Sequence, residues 1–247
     1  MCTLEKRGSV FILTLTGQDE HRLDPTLIEA VHAALRRVRS DSSSSSAALV
    51  TTAHGKFFSN GYNLAWVKSG GPASATNHRL KLMSSKYRSL LADLLSLPLP
   101  TIAAVTGHAS AAGFIFAICH DYRLMRKDRG FLYMSELDIR LPVPVWFSSV
   151  LKSKIGSPAA LRDVLLTAAK LTAEAAVARG IIDSAHDSAE ETVLAAVKLG
   201  EELARRRWDG HVYARIRTVM YADMLNAIRF DETEEDESLA SKVASRL

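Results

Sequence analysis

Two glycine-containing turns stand out as places where the backbone itself could do chemistry: KFFSNGYNLAW at 56–66 and VTGHASAAGFIFAICHDYRL at 105–124. Each leaves a strand and enters apolar helical sequence, which exposes backbone N–H groups at a helix start, where an anion or a developing oxyanion can bind. Taken singly, each is explained as a tight connection that needs glycine. Their joint occurrence, in this order, is what gives them weight. Other chemistries lack their spacing. In GHASAAG at 107–113 the glycines flank Ser110 at three residues on each side, one more than a nucleophile elbow has, so a serine hydrolase is poorly supported. The chain has no GxxxxGK[ST], no GxGxxG after a strand, no HExxH and no DxDxDG loop, which leaves nucleotide, dinucleotide and metal sites without footing.

The elements that must position these turns follow from hydrophobic periodicity. SVFILTLT at 9–16 reads as a first strand. After the turn GQDEH a helix opens at Asp24, a good N-cap, with Pro25 at its first position and Leu27, Val31, Ala34, Leu35 and Val38 as its buried face. The serine run at 40–46 reads as a linker and AALVTTA at 47–53 as a second strand. A polar, Gly-rich section at 54–78 precedes a long amphipathic helix with Leu80, Met83, Tyr87, Leu90, Leu91, Leu94 and Leu95 at helical spacing, stopped by LPLP. Then TIAAV at 101–105 reads as a buried strand, AAGFIFAICH as a short helix, and YRLMR and FLYM as strands, with mostly helical sequence after 157. The alternation indicates an α/β core followed by a helical C-terminal part.

Composition narrows the class. Apolar residues make up 47% and charged residues 23%, so the chain is expected to fold, and a net charge of +4 permits anionic ligands without demanding nucleic acid. Cys2 and Cys119 are the only cysteines, which excludes a disulfide framework and favours a reduced, intracellular setting. The longest apolar run, AAGFIFAIC at 111–119, is about half the length of a membrane span, and the N-terminus lacks a signal-peptide core. A soluble protein with no membrane span is expected. The chain ends Ser245, Arg246, Leu247 after the acidic run DETEEDE at 231–237. The tripeptide is a conservative variant of the address read by the peroxisomal import receptor.

The two turns together resemble motifs of the enoyl-CoA hydratase/isomerase family, also called the crotonase superfamily. FFSNGYNL is similar to its FxAGxDL element, and VTGHASAAGF followed by CHDYRL is similar to its VxGxAxGGG element followed by CD. The resemblance continues through GFLYMSELDIRLPVPVWF at 130–147 and GSPAALRDVLLTAAKLTAEAAVARGIIDSA at 156–185, and covers roughly residues 9–190. Motif order and C-terminal tripeptide are most similar to the plant-type peroxisomal Δ3,Δ2-enoyl-CoA isomerases. The resemblance implies a crotonase-like α/β spiral of ββα units, with a core at 1–190 and a helical oligomerisation region at 191–247. It implies an acyl-CoA substrate, no metal or redox cofactor, and assembly as a homotrimer or a dimer of trimers.

Carried over residue by residue, the family's two oxyanion-hole donors fall on the backbone N–H groups of Tyr62 and Ala112. Backbone donors tolerate side-chain change, so Asn60 for Ala, Asn63 for Asp and Ala112 for Gly leave the hole possible, with Ala112 required to adopt a compatible φ. The resemblance places Ser59, Asn60, Gly61, Asn63, Leu64, Ile115, Trp146 and Phe147 at the substrate. Family hydratases present two glutamates. Here the first position is Ile115, which cannot activate water, and the second is Glu136. A single carboxylate suffices for a 1,3-proton shift from the carbon α to the thioester to the γ carbon. Leu132, Met134, Leu137 and Ile139 are expected to surround Glu136 and raise its pKa; Arg140, where the family commonly has Gly, would lower it if turned inward. The expected activity is therefore conversion of 3-enoyl-CoA to trans-2-enoyl-CoA in peroxisomal β-oxidation. The alternatives are a crotonase-type hydratase or thioester hydrolase using Glu136 with water, and a non-catalytic CoA-binding scaffold. His108, His120, Phe114, Phe116 and the basic cluster RLMRKDR at 123–129 have plain structural readings as core or solvated surface.

Overall fold

Burial at every position of three consecutive parallel strands fixes the architecture, as expected where a sheet is covered on both faces. In the computed structural model, which describes residues 1–17, 20–42 and 47–230, these are β2 (Val10–Leu15), β3 (Ala48–Ala53) and β5 (Thr101–Val105). With β1 (Cys2–Arg7), β7 (Tyr122–Arg126) and β9 (Ser184–His186) they form a sheet of order β1-β2-β3-β5-β7-β9. Only the β1–β2 pair is antiparallel. The sequence CTLEKR of β1 carries little apolar periodicity, and the strand was not expected; it pairs along the sheet edge with mostly exposed side chains.

Alternate strand residues divide the core in two. Phe11, Leu13, Leu15, Leu49 and Val105 belong with α1 (Pro25–Ser42) and α3 (Ala73–Leu95). Val10, Ile12, Val50, Ile102, Ala104 and Leu124 face the other way, under Ala196, Val193 and Val197 of α8 (Ala189–Ala204). Asp24 caps α1 by accepting the Leu27 N–H at 2.9 Å, and all five expected apolar positions of that helix are buried, with Ile28. Two boundaries differ from expectation. The helix runs through Ser40 to Ser42, into the serine run, and α3 begins at Ala73, directly after Pro72. Helix α8 lies on the sheet: a Cβ added at Gly200 would come within 3.2 Å of Val10. The expected division near residue 190 therefore falls inside a helix that covers the core.

A second, smaller sheet holds the two turns. Short strands β4 (Phe57–Ser59), β6 (His108–Ser110) and β8 (Leu132–Tyr133) lie in that order, all parallel. They are followed respectively by α2 (Leu64–Lys68), α4 (Ala112–Ile118) and, past a loop, α5 (Val145–Lys154). Helices α6 (Pro158–Leu166) and α7 (Ala173–Ala178) lead to β9. After α8, α9 (Gly210–Met220) is pinned by buried Arg217, which donates to Asp121 at 2.6 Å and to the Leu99 carbonyl at 3.1 Å. Its Val212, Ile216, Val219 and Met220 are exposed. Helix α10 (Ala222–Arg229) buries Met224, Leu225 and Ile228. Among the described residues no helix is long and apolar enough to cross a membrane. The C-terminal tripeptide lies outside the described residues.

Candidate active site

The small sheet brings the two turns together by removing side chains where its backbones meet. A Cβ at Gly107 would lie 2.3 Å from the Lys56 carbonyl oxygen, and one at Gly113 would lie 2.2 Å from that of Ser59. Only glycine permits this approach. Beyond β4, Gly61 takes a φ of +70° and its carbonyl accepts the Leu23 N–H at 2.7 Å, while the Asn63 N–H donates to the Leu23 carbonyl at 2.8 Å. Beyond β6, Ala111 has φ 49° and ψ −120°. These are the angles of the first central residue of a type II′ turn, a place for glycine, and an alanine there costs about 1–3 kcal/mol. The conformational demand expected of Ala112 thus falls on Ala111. Ala112 is the first residue of α4, so its N–H has no acceptor within that helix. Its carbonyl accepts the buried Tyr87 hydroxyl of α3 at 2.5 Å.

Glu136 follows β8 in a turn closed by three main-chain bonds: Ile139 N–H to Ser135 O at 3.1 Å, Arg140 N–H to Leu137 O at 3.2 Å, and Leu141 N–H to Glu136 O at 2.9 Å. The last two close the turn as in a Schellman motif, and Arg140 supplies its left-handed residue with φ 58°. This is a conformational reason for the glycine that the resemblance places there. Glu136 is only 7% exposed, and its Oε2 has no hydrogen-bond partner among the described residues. Burial pushes its pKa up to about 7, against the opposing pull of the Glu136 and Ser135 backbone N–H groups. Leu132 and Met134 are buried as expected, but Leu137 and Ile139 are 52% and 48% exposed. Leu137 lies outside the cavity lining, whereas half-exposed Ile139 lines the same cavity as Glu136, and Arg140 is exposed and does not hold the carboxyl down.

A cavity of about 360 Å³ joins these parts. Tyr62, Ala112 and Glu136 line it, as do Asn60, Leu64, Trp146 and Phe147. Its aromatic wall is interlocked: Trp146 and Phe147 of α5 meet edge to face at 4.3 Å, and Tyr87 packs against both Tyr62 at 5.5 Å and Trp146 at 5.9 Å. Four of the expected substrate residues are not in the cavity lining. Ser59 is fully buried and donates to the His21 carbonyl at 2.7 Å. Asn63 caps α2, accepting the Trp66 N–H at 3.0 Å. Gly61 serves the turn, and Ile115 is fully buried in α4 away from the cavity lining. Sequence reasoning missed Arg22, Lys81, Ser84, Ser135 and Pro144, which also line the cavity. Lys81 and Ser84 share a helical face, a signal that appears only once α3 is known to cross the site.

The remaining candidates are structural. His120 is fully buried, its ring nitrogens 3.0 Å from the Phe116 carbonyl and 2.8 Å from the Thr51 hydroxyl, and burial holds its pKa down to about 4. Arg123, Arg126 and Lys127 of the basic cluster pair with Asp183, Asp128 and Asp187. Phe114 and Phe116 are core. Among the described residues no group of three His, Cys, Asp or Glu side chains could hold a metal ion.

The model of the enoyl-CoA hydratase/isomerase family matches residues 5–237. The chain belongs to this family. It is 56% identical to the peroxisomal enoyl-CoA delta isomerase 1 of Arabidopsis thaliana over 247 residues, the whole of both chains. It is 53% identical to enoyl-CoA delta isomerase 3 of the same plant over 229 residues, 92% of this chain and 95% of that protein. The crystal structure of a probable enoyl-CoA hydratase of Mycobacterium tuberculosis superposes with a TM-score of 0.82 at 25% identity, covering 99% of this chain and 94% of the other. The crotonase-like α/β spiral with a helical C-terminal region is thus the family's fold in this chain.

Proposed function

We propose that the protein is a Δ3,Δ2-enoyl-CoA isomerase, converting 3-enoyl-CoA to trans-2-enoyl-CoA in the peroxisome. The observation that carries this reading is Glu136: a buried carboxyl with one unpartnered oxygen, the one carboxylate among the described residues lining the cavity. A proton shuttle needs one such group, whereas hydration by two glutamates needs a second. In the proposed step the thioester oxygen accepts the N–H groups of Tyr62 and Ala112. Glu136 takes a proton from C2, and the C–H electron pair spreads into a dienolate whose charge rests on that oxygen. The same carboxyl returns the proton at C4, leaving the double bond between C2 and C3. Each oxyanion donor would be worth about 3 kcal/mol, and a pKa near neutrality suits a group that both takes and gives a proton.

The peroxisomal assignment is supported by the similarity to two plant relatives, peroxisomal enoyl-CoA delta isomerases 1 and 2 of Arabidopsis thaliana, and by Ser245, Arg246 and Leu247, which the import receptor would read. The exposed apolar stripe of α9 supports assembly into a trimer or a dimer of trimers. In this reading the acyl-CoA site belongs to 1–190, while 191–247 carries the assembly surface and the address.

Separate incubation of the pure protein with a 3-enoyl-CoA and a 2-enoyl-CoA tests the activity. Conjugated-thioester absorbance should appear from the first, and no 3-hydroxyacyl product from the second. Rapid hydration of the 2-enoyl-CoA, release of free CoA, or no reaction with the 3-enoyl-CoA would each overturn the reading.

A further inference from the structure

The strained residue beside the oxyanion donor has a side chain, and its position is set by its backbone angles. For an L residue, a ψ of −120° brings the Cα–Cβ bond into eclipse with the bond from its carbonyl carbon to the next nitrogen. The Ala111 methyl therefore stands alongside the Ala112 N–H. An independent distance agrees: a single point, where Gly61 would carry a Cβ, lies 3.3 Å from the Ala111 methyl and 3.5 Å from the Ala112 nitrogen. Ala111 lines the cavity. Its N–H donates to the Tyr133 carbonyl at 2.9 Å, which ties it to the strand that delivers Glu136.

We propose that the Ala111 methyl is a specificity element that bars acyl-CoA chains branched at the carbon next to the thioester. This deepens the isomerase reading and rests on it. An oxygen bound at the Ala112 N–H fixes the carbonyl carbon, and C2 must then lie within reach of Glu136. That space is bounded on the Ala111 side by the methyl. On this proposal a hydrogen on C2 would clear it, whereas a methyl group on C2 would meet it. Glycine would satisfy the turn without strain, so the methyl is held against the conformational preference of its position, as a shape-setting group would be.

The test compares the parent with Ala111→Gly, a change the turn accepts. The readout is the ratio of kcat/KM for a straight 3-enoyl-CoA over its 2-methyl counterpart, with the ratio of affinities for straight and 2-methyl saturated acyl-CoA measured in parallel by calorimetry. Discrimination by one methyl group is worth about 10- to 200-fold, so both ratios should fall by about 10-fold or more in the variant. Ratios within about twofold of the parent's would overturn the proposal. If the parent does not isomerise the straight substrate, the isomerase reading fails, and the affinity ratio still decides the role of Ala111. Absence of binding to either saturated ligand overturns both.

Discussion

Replacing Glu136 with glutamine should make the protein more stable at high pH while disabling it. The folded-state pKa of Glu136 is about 7 against an ordinary 4.5, raised chiefly by burial. Between those values the folded state binds more protons than the unfolded one, so stability falls as pH rises through that window. The gap of roughly 2.5 units corresponds to about 3 kcal/mol of destabilisation, absent below pH 4.5 and fully present above pH 7. Glu136→Gln removes the ionisation and hence the slope. Urea or thermal unfolding of both proteins at pH 4.5 and pH 8 isolates the effect, because the fixed cost of burying an amide cancels in the difference. Relative to pH 4.5, the variant should gain up to about 3 kcal/mol over the parent at pH 8, about 6 to 12 °C in Tm for a domain of this size. Its turnover should drop by about 10²- to 10⁴-fold, and the parent's kcat/KM should rise with pH to a midpoint near 7. Parallel stability curves for the two proteins across this range would refute the desolvated carboxyl, and near-normal isomerisation by the variant would refute its role as the base.

Gly113→Ala would place a methyl 2.2 Å from the Ser59 carbonyl oxygen. Backbone must then part from backbone, so urea unfolding should show a loss of about 3 kcal/mol or more. Ile216→Glu with Val219→Glu on the exposed face of α9 should reduce the particle to monomers by light scattering; an unchanged mass, or a parent that is already monomeric, would show that the stripe is not an interface. Removing Ser245, Arg246 and Leu247 should leave the protein cytosolic in cells that lack the native protein, as seen by microscopy, and continued import would exclude the tripeptide as the address.

Much of the frame was legible because burial imposes periodicity. The continuous apolar runs of β2, β3 and β5 and the Asp24–Pro25 start of α1 could be read directly. Edge strand β1 could not, since its side chains face largely outward and leave no apolar pattern. Strands β4 and β6 are three residues each, too short to show a period, and so read as turns. Motif resemblance picked out Glu136, Tyr62 and Ala112 and, of the cavity around them, Asn60, Leu64, Trp146 and Phe147, but not the rest of its lining. Arg22, Lys81 and Pro144 reach it from three distant segments, a matter of tertiary packing with no local signature. The motif points to Ala112 for a strain that Ala111 carries, because sequence shows which residue replaces a glycine and not which of two neighbours takes the positive φ.

On the proposed reading, the small sheet also separates chemistry from scaffold. Strands β4, β6 and β8 lead, within two or three residues of their ends, to Tyr62, Ala112 and Glu136 respectively. Their relative heights are set by main-chain bonds such as His108 N–H to Lys56 O at 3.0 Å and Ala109 N–H to Phe131 O at 2.9 Å. Apart from the glycines at 107 and 113, which the close approach requires, those bonds join main-chain atoms and do not use the side chains at the strand exits. A frame of this kind is a socket board: a carboxylate can be added, moved or deleted at one exit while the other two keep their places. New reactions of an activated thioester are then reachable by single substitutions, with the fold left intact between one chemistry and the next.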